Sequence, residues 1–259
     1  MSAPHDRPKE REGAQMTERE GGRHDGEAAF ILHQYPWKET SLVLEAFSRH
    51  WGRIALVARG ARRPASALRG VLRAFEPLEL AWFGRAELRT LHGAERVGGF
   101  PFLRGTALMC GFYLNELIMR LVPRDDPHER LYLAYEATLR RLGACGDAEP
   151  ALRGFEKYLL QELGYALPLA VEADTGAPVE AGAWYHYAIE RGPIQATGVE
   201  PAENRLELRG KTLLDLVADD YSDPLTLQQS KLLMRMLVTH YLGDRPLHSR
   251  QLLRDLHQL

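Results

Sequence analysis

The chain has 259 residues, 45% hydrophobic and 26% charged, enough apolar material for one large domain or two ordinary ones. It offers no run of about 18 uncharged apolar residues to cross a bilayer, no apolar leader, and only Cys110 and Cys145, so a cytoplasmic protein with no membrane partner and no disulfide framework is expected. The formal net charge of −2 hides an asymmetry: residues 1–27 carry 5 basic and 7 acidic side chains, residues 28–100 carry 11 and 6, and residues 101–259 carry 17 and 22, so a basic module precedes an acidic one.

Residues 1–27 are rich in Glu, Arg, Gly and Pro, nearly empty of large apolar side chains, and are predicted to form a disordered tail. From Ala28 onward apolar residues recur with period two. Residues 30–32 end at a predicted turn, Tyr35-Pro36-Trp37; residues 41–47 alternate; residues 53–58 follow a Trp51-Gly52 turn; residues 77–83 and 86–91 flank Gly84-Arg85. Five short strands within residues 28–100 predict a small closed or nearly closed barrel, because closure removes exposed strand edges.

After Gly105 the period becomes about 3.6. Ala107, Gly111, Leu114, Ile118 and Leu121 form one helical stripe, stopped by Pro123. Residues 131–142 and 151–163 read as further helices. Residues 165–205 interrupt them with an inserted loop and hairpin, in which residues 184–190 form a strand turned back at Gly192-Pro193. Helices over residues 213–218, 224–241 and 248–257 complete the chain, with Leu232, Leu233, Met236 and Leu237 as an apolar face. The predicted class is mixed α+β: a five-stranded barrel, then an all-helical domain over residues 101–259 carrying a small hairpin.

The densest functional signal is Arg59, Arg62, Arg63, Arg69 and Arg73, with no acidic residue among them. Gly60, Ala61, Pro64, Ala65 and Ser66 make this a loop, so the guanidiniums should face solvent and seek an external anion, phosphate above all. The plainer alternative is a solvated loop paired with Glu39, Glu76 and Glu79. Five phosphates neutralised on a single strand would give a salt slope of roughly −3.5. Tyr35, Trp37 and Trp51 lie at predicted turns; Trp37 is a candidate for base stacking, though such rings also serve as core caps, and Lys38 is a candidate backbone contact.

Enzyme signatures are poor, and no catalytic residue or cofactor is expected. Gly210-Lys211-Thr212 resembles the end of a phosphate-binding loop, but Arg205 stands where its first glycine is needed. The two cysteines are too far apart in sequence to begin a zinc site, so no metal is expected. In the helical half, Arg153 beside Phe155 could receive the carboxylate and apolar side chain of an acidic peptide tail; a similar mixture recurs at Arg235, His240, Arg245 and His248. Arg153 could equally be an internal salt-bridge partner.

The run from Ala29, AFILHQYPWKETSLVLEAFSRHWGRIALVARGARRP, followed by Leu68-Arg69-Gly70 and Gly84-Arg85-Ala86-Glu87-Leu88, closely resembles the start of the bacterial RecO family of recombination mediators. GFYLNEL from Gly111, PALRGFE from Pro150, Leu163-Gly164-Tyr165 and YLGDRPLHSRQL from Tyr241 are similar to its helical half. The resemblance implies an OB-fold domain joined to a helical one, without catalysis, that binds single- and double-stranded DNA. It further implies annealing of strands coated by single-stranded-DNA-binding protein, contact with that protein's acidic C-terminal tail, and action with RecR to help load RecA. By position, Arg59, Arg62, Arg63 and Arg69 fall in the family's basic loop, and Arg153 falls where tail binding is expected. Some members hold a four-cysteine zinc module between Leu163 and about Trp184. Here Asp174-Thr175-Gly176-Ala177-Pro178-Val179 contains no cysteine, which implies the zinc-free branch. The residues alone leave two other readings open: an RNA-binding adaptor using the same basic loop, and a nucleotide hydrolase built around Lys211.

Overall fold

A computed structural model describes residues 22–144, 148–165, 167–196, 206–243 and 247–249. Five strands, β1 (Arg23–Trp37), β2 (Ser41–Ser48), β3 (Gly52–Ala58), β4 (Leu78–Phe83) and β5 (Leu88–Arg96), close into a barrel in the order β1-β2-β3-β5-β4. All pairings are antiparallel except β3 with β5, an OB-like arrangement. Period-two alternation builds its interior: Leu44 and Ala46, Ile54, Leu56 and Ala58, and Leu78, Leu80 and Trp82 all point inward and are buried.

β1 is longer than predicted at both ends. Residues 23–27, expected in the tail, form strand by pairing with β4, Arg23 opposite Phe83 and His24 opposite Trp82. Backbone pairing satisfies their polar groups without large apolar side chains, which is why composition alone missed them. The Glu27 carboxylate also accepts the His50 backbone N–H at 2.7 Å. The rest of the expected tail, residues 1–21, lies outside the described residues. At the other end, Tyr35-Pro36-Trp37 continues the strand, and the turn comes at residues 38–40, where Lys38 adopts φ 51°.

A bulge between Ile31 and His33 decides which way β1 faces. Before it, Ala29 and Ile31 fill the barrel, while Phe30 and Leu32 belong to the core of the helical half. Beyond it, Gln34 lies opposite Leu44 and Pro36 opposite Leu42, so His33, Tyr35 and Trp37 take the outer face.

The helical half comprises α1 (Gly105–Leu121), α2 (Glu129–Gly143), α3 (Ala148–Glu162), α4 (Gly210–Ala218) and α5 (Pro224–Leu242). α5 starts at a polar cap, Asp223 accepting the Leu225 N–H at 2.9 Å, with Pro224 at the first turn. Its buried face is Leu233, Met234, Leu237 and Val238; Leu232, expected inside, is 45% exposed. The inserted element is a three-stranded sheet, not a hairpin: β6 (Trp184–Ala188) lies between β7 (Gly192–Gln195) and β8 (Glu207–Arg209). Gly192-Pro193 begin β7, and the turn falls at residues 189–191, with Glu190 at φ 66°. β8 is too short to show a period of its own. Asp125 and Asp126, which resemble a helix cap, instead pair with Arg89 and His128. Of the predicted last helix, only His248 and Ser249 are described.

Residues 171–178 form a tight turn held by its own side chains. Val171 bridges Pro178, and the Glu172 carboxylate accepts both the N–H and the hydroxyl of Thr175, at 2.6 and 2.5 Å. These bonds hold the Glu172 carboxyl below the usual carboxylate range.

Barrel and helices share one apolar boundary. Phe30 packs edge-on to Tyr135 at 5.2 Å between ring centres, and Phe47 lies 5.8 Å from Tyr132. Asn115 on α1 donates to the Leu32 carbonyl at 2.8 Å and accepts from the Tyr135 hydroxyl at 2.5 Å. Beside this, buried Glu45 binds Arg124 and lies 3.7 Å from Arg53.

Candidate nucleic-acid interface

The loop after β3 folds back along the β1–β2 turn. The Arg62 N–H donates to the Thr40 carbonyl at 2.8 Å, and Gly60, at φ 68°, lets Arg63 close a tight turn onto the Gly60 carbonyl at 3.0 Å. A short 3-10 turn, Ala67–Gly70, then leads toward β4. All five predicted arginines are exposed.

Their pairing differs from residue to residue. Arg73 lies 3.8 Å from Glu76, which also meets Arg96 at 3.6 Å, so part of the plainer alternative holds. Glu39 and Glu79 pair with none of them among the described residues. Among the described residues, the Arg62 guanidinium donates only to backbone carbonyls, those of Lys38 at 3.4 Å and Glu39 at 3.3 Å, which orient it without cancelling its charge. Among the described residues, Arg59, Arg63 and Arg69 face no carboxylate. Four of the five charges are therefore unneutralised.

Arg62, Arg69 and Arg73 line one cleft of about 520 Å³, together with Gln34 of β1 and an apolar lining that includes Leu42, Leu68 and Leu72. Arg59 and Arg63 lie outside it. Arg59 follows Ala58, whose strand partner is Leu42, and so continues the outer row in which Ser41 faces Trp37. The structure thus separates two groups that the sequence had joined. The arginine cleft holds no aromatic ring, while Trp37 and Tyr35, 46% and 43% exposed, stand on the opposite face of β1. Lys38, at the turn after Trp37, is exposed. Tyr35 tilts against His33 at 4.3 Å between ring centres, and the next row carries Val43, Val57 and Thr90, giving a sheet face edged with rings. Trp51 is half-buried against His24 and Trp82, a core cap.

Sequence reasoning missed Gln34 and His33. Both follow from the bulge, for which the sequence carries no turn residue as a signal.

Arg153 and Phe155 are placed inside the molecule. Arg153 donates to the fully buried Glu156 at 3.0 Å, the same oxygen that receives the Tyr113 hydroxyl, and Phe155 packs 6.3 Å from the Tyr135 ring. Arg153 is thus an internal salt-bridge partner in this conformation. Arg235 and His240 are exposed, and the His248 N–H is held by the Glu116 carboxylate at 2.9 Å. Arg245 lies outside the described residues. Lys211 binds Asp215 and lies 3.2 Å from Asp223, so its charge is spent within the protein. The Cys110 thiol is pushed up by burial, as befits a core residue. Among the described residues, no three His, Cys, Asp or Glu side chains gather to hold a metal, and no helix is long and apolar enough to cross a membrane.

Residues 26–100 match the family model described as Recombination protein O N terminal, and residues 103–251 match the one described as Recombination protein O C terminal. The chain is 55% identical over 237 residues to a DNA repair protein RecO of Nitrosospira multiformis, covering 92% of this chain and 98% of that one. It is 52% identical over 237 residues to the protein of the same description from Aromatoleum aromaticum, with the same coverage. The counterpart in Cupriavidus metallidurans is 48% identical over 237 residues, which span 92% of this chain and 79% of that one.

Proposed function

Because the chain belongs to the RecO family of DNA repair proteins, we propose that it is a non-enzymatic recombination mediator that binds single- and double-stranded DNA and anneals complementary strands coated with single-stranded-DNA-binding protein. In this reading it also engages the acidic tail of the coating protein and, with RecR, promotes loading of RecA at gaps and breaks, which places its work at the nucleoid.

The observation that carries the reading is the set of guanidiniums left without carboxylates along the loop after β3, joined by Lys38. Annealing requires two polyanions to approach, and the Coulomb repulsion between them is the main obstacle. Arginines on a cleft and on the neighbouring outer face offer cations to two backbones at once. Trp37 supplies a ring on which a base can stack once its strand is unpaired.

Tail binding belongs to the helical half. Arg153 is buried and donates to Glu156, and Phe155 lies in the core, so a tail bound there must first open this part of the helical half.

The decisive experiment is annealing of complementary oligonucleotides precoated with the cognate single-stranded-DNA-binding protein, with and without its acidic tail. Acceleration that depends on the tail and falls in the Arg62→Glu/Arg63→Glu variant is expected. Unchanged DNA affinity of that variant at low salt would reject the loop as the binding site, and preference for RNA over DNA of the same sequence would favour an RNA-binding adaptor.

A further inference from the structure

The geometry points to the arginine cleft as a receptor for the terminal phosphate monoester of a DNA strand, in addition to the general contact with phosphodiesters; this rests on the reading of the loop as a DNA-binding site. Arg62, Arg69 and Arg73 line a single cleft, and its volume of about 520 Å³ lies within the range of roughly 300–1,000 Å³ typical of small-ligand sites. It is therefore scaled to one nucleotide.

A phosphodiester brings one negative charge and two free oxygens, enough to occupy one guanidinium fork. A phosphate monoester brings three terminal oxygens and a charge between −1.5 and −2 at about pH 7, enough to bridge two or three guanidiniums. The cleft presents an excess of cations over what a diester can use. Among the described residues, Arg69 faces no carboxylate and the Arg62 guanidinium meets only the Lys38 and Glu39 carbonyls, while Arg73 shares a carboxylate at 3.8 Å that is itself shared with Arg96. Gln34 adds an amide donor at the wall, and Leu42, Leu68 and Leu72 give the sugar and base an apolar surface. A track for the middle of a strand would repeat one charge at intervals; here three arginines line a single cleft.

The test compares binding of the full chain to one single-stranded oligonucleotide bearing a 5′-phosphate, a 3′-phosphate or hydroxyls at both ends, by fluorescence anisotropy at fixed salt. A phosphorylated end should bind at least about fivefold tighter than the hydroxyl form, a modest share of what one added charge-assisted contact gives. That ratio should shrink toward one as pH falls below about 6, where the monoester loses its second charge. Arg69→Ala and Arg62→Ala should reduce the ratio, whereas Arg59→Ala, outside the cleft, should weaken all forms in parallel and leave the ratio intact. Equal binding of all three oligonucleotides overturns the inference while leaving DNA binding in place. A free nucleoside monophosphate that competes as tightly as the phosphorylated strand overturns the assignment to a strand end. Failure to bind any oligonucleotide removes the underlying reading as well.

Discussion

Arg153 and Glu156 show how one residue type serves two ends in this chain. Arg59, Arg63 and Arg69 keep their charge in solvent, while Arg153 spends its charge on a carboxylate with no solvent exposure. Removing one member of such a pair strands the other in a low-dielectric interior. Arg153→Met should therefore lower stability by about 3–5 kcal/mol in urea unfolding, and the double variant Arg153→Met/Glu156→Gln should recover much of the loss. A single variant as stable as the parent would mean that the pair is solvated and open to an outside carboxylate. Glu116 offers a pH test. Burial works against its charge, but the Ser249 hydroxyl and the N–H groups of Ser249 and His248, helped by Arg120, outweigh that and hold its carboxyl below the ordinary value. A depressed folded-state pKa means that its contribution is present above the ordinary carboxyl range and is lost as pH falls through the lowered value. Amide exchange at His248 and Ser249 should therefore accelerate, relative to its intrinsic rate, once pH falls below the ordinary carboxyl range. Glu116→Gln should be faster than the parent at pH 7 and converge with it in acid.

At the level of elements, the junction between β2 and β3 does more than turn the chain. Gly52 sits at φ 66°, and a Cβ built there would lie 1.9 Å from the Asp126 carbonyl oxygen, in the segment joining α1 to α2. The barrel and the helical half touch backbone to backbone at this point, and the Asp125 N–H donates to the Arg53 carbonyl at 2.9 Å nearby. Gly52→Ala combines an unfavourable backbone conformation with a clash against main chain, and should cost at least about 2 kcal/mol in thermal or urea unfolding. A neutral outcome would show that the two halves can separate without penalty. The β1 bulge is the other decisive element. Period-two reading located the strand and even its buried residues, because Phe30, Ile31 and Leu32 are apolar on both faces. It could not say that the alternation changes phase at residue 32, so Gln34 was missed in the cleft and Trp37 was grouped with Arg62, Arg69 and Arg73, which line a cleft on the other face. The same limit hid β8, which at three residues shows no period and becomes a strand only because β6 stands beside it.

Taken whole, the molecule is a basic barrel on an acidic helical body, and its association with DNA should carry the sign of that division. If the five loop arginines engage a single strand, the logarithm of the binding constant should fall against the logarithm of salt with a slope near −3.5. Arg62→Glu/Arg63→Glu should flatten that slope by about 1.4 or more, since each lost phosphate contact removes about 0.7. A slope that does not change would place the DNA on another surface. Arg73, already near Glu76, should matter least of the five. The two halves are joined by an apolar contact, Phe30 and Phe47 of the barrel being packed against Tyr132 and Tyr135 of α2.

The sequence by itself determined the barrel, the helices, the charge division and the solvent exposure of the loop arginines, because each depends on local periodicity, glycine and proline placement, or composition. It also carried the motifs by which the family is recognised. Only the tertiary structure decided that Arg153 is an internal partner, that Arg62, Arg69 and Arg73 share a cleft from which Trp37 is excluded, and that Gly52 is a point of contact between the halves. Those outcomes depend on which residues distant in sequence meet in space, and neither a charge nor a period along the chain encodes who the neighbour will be.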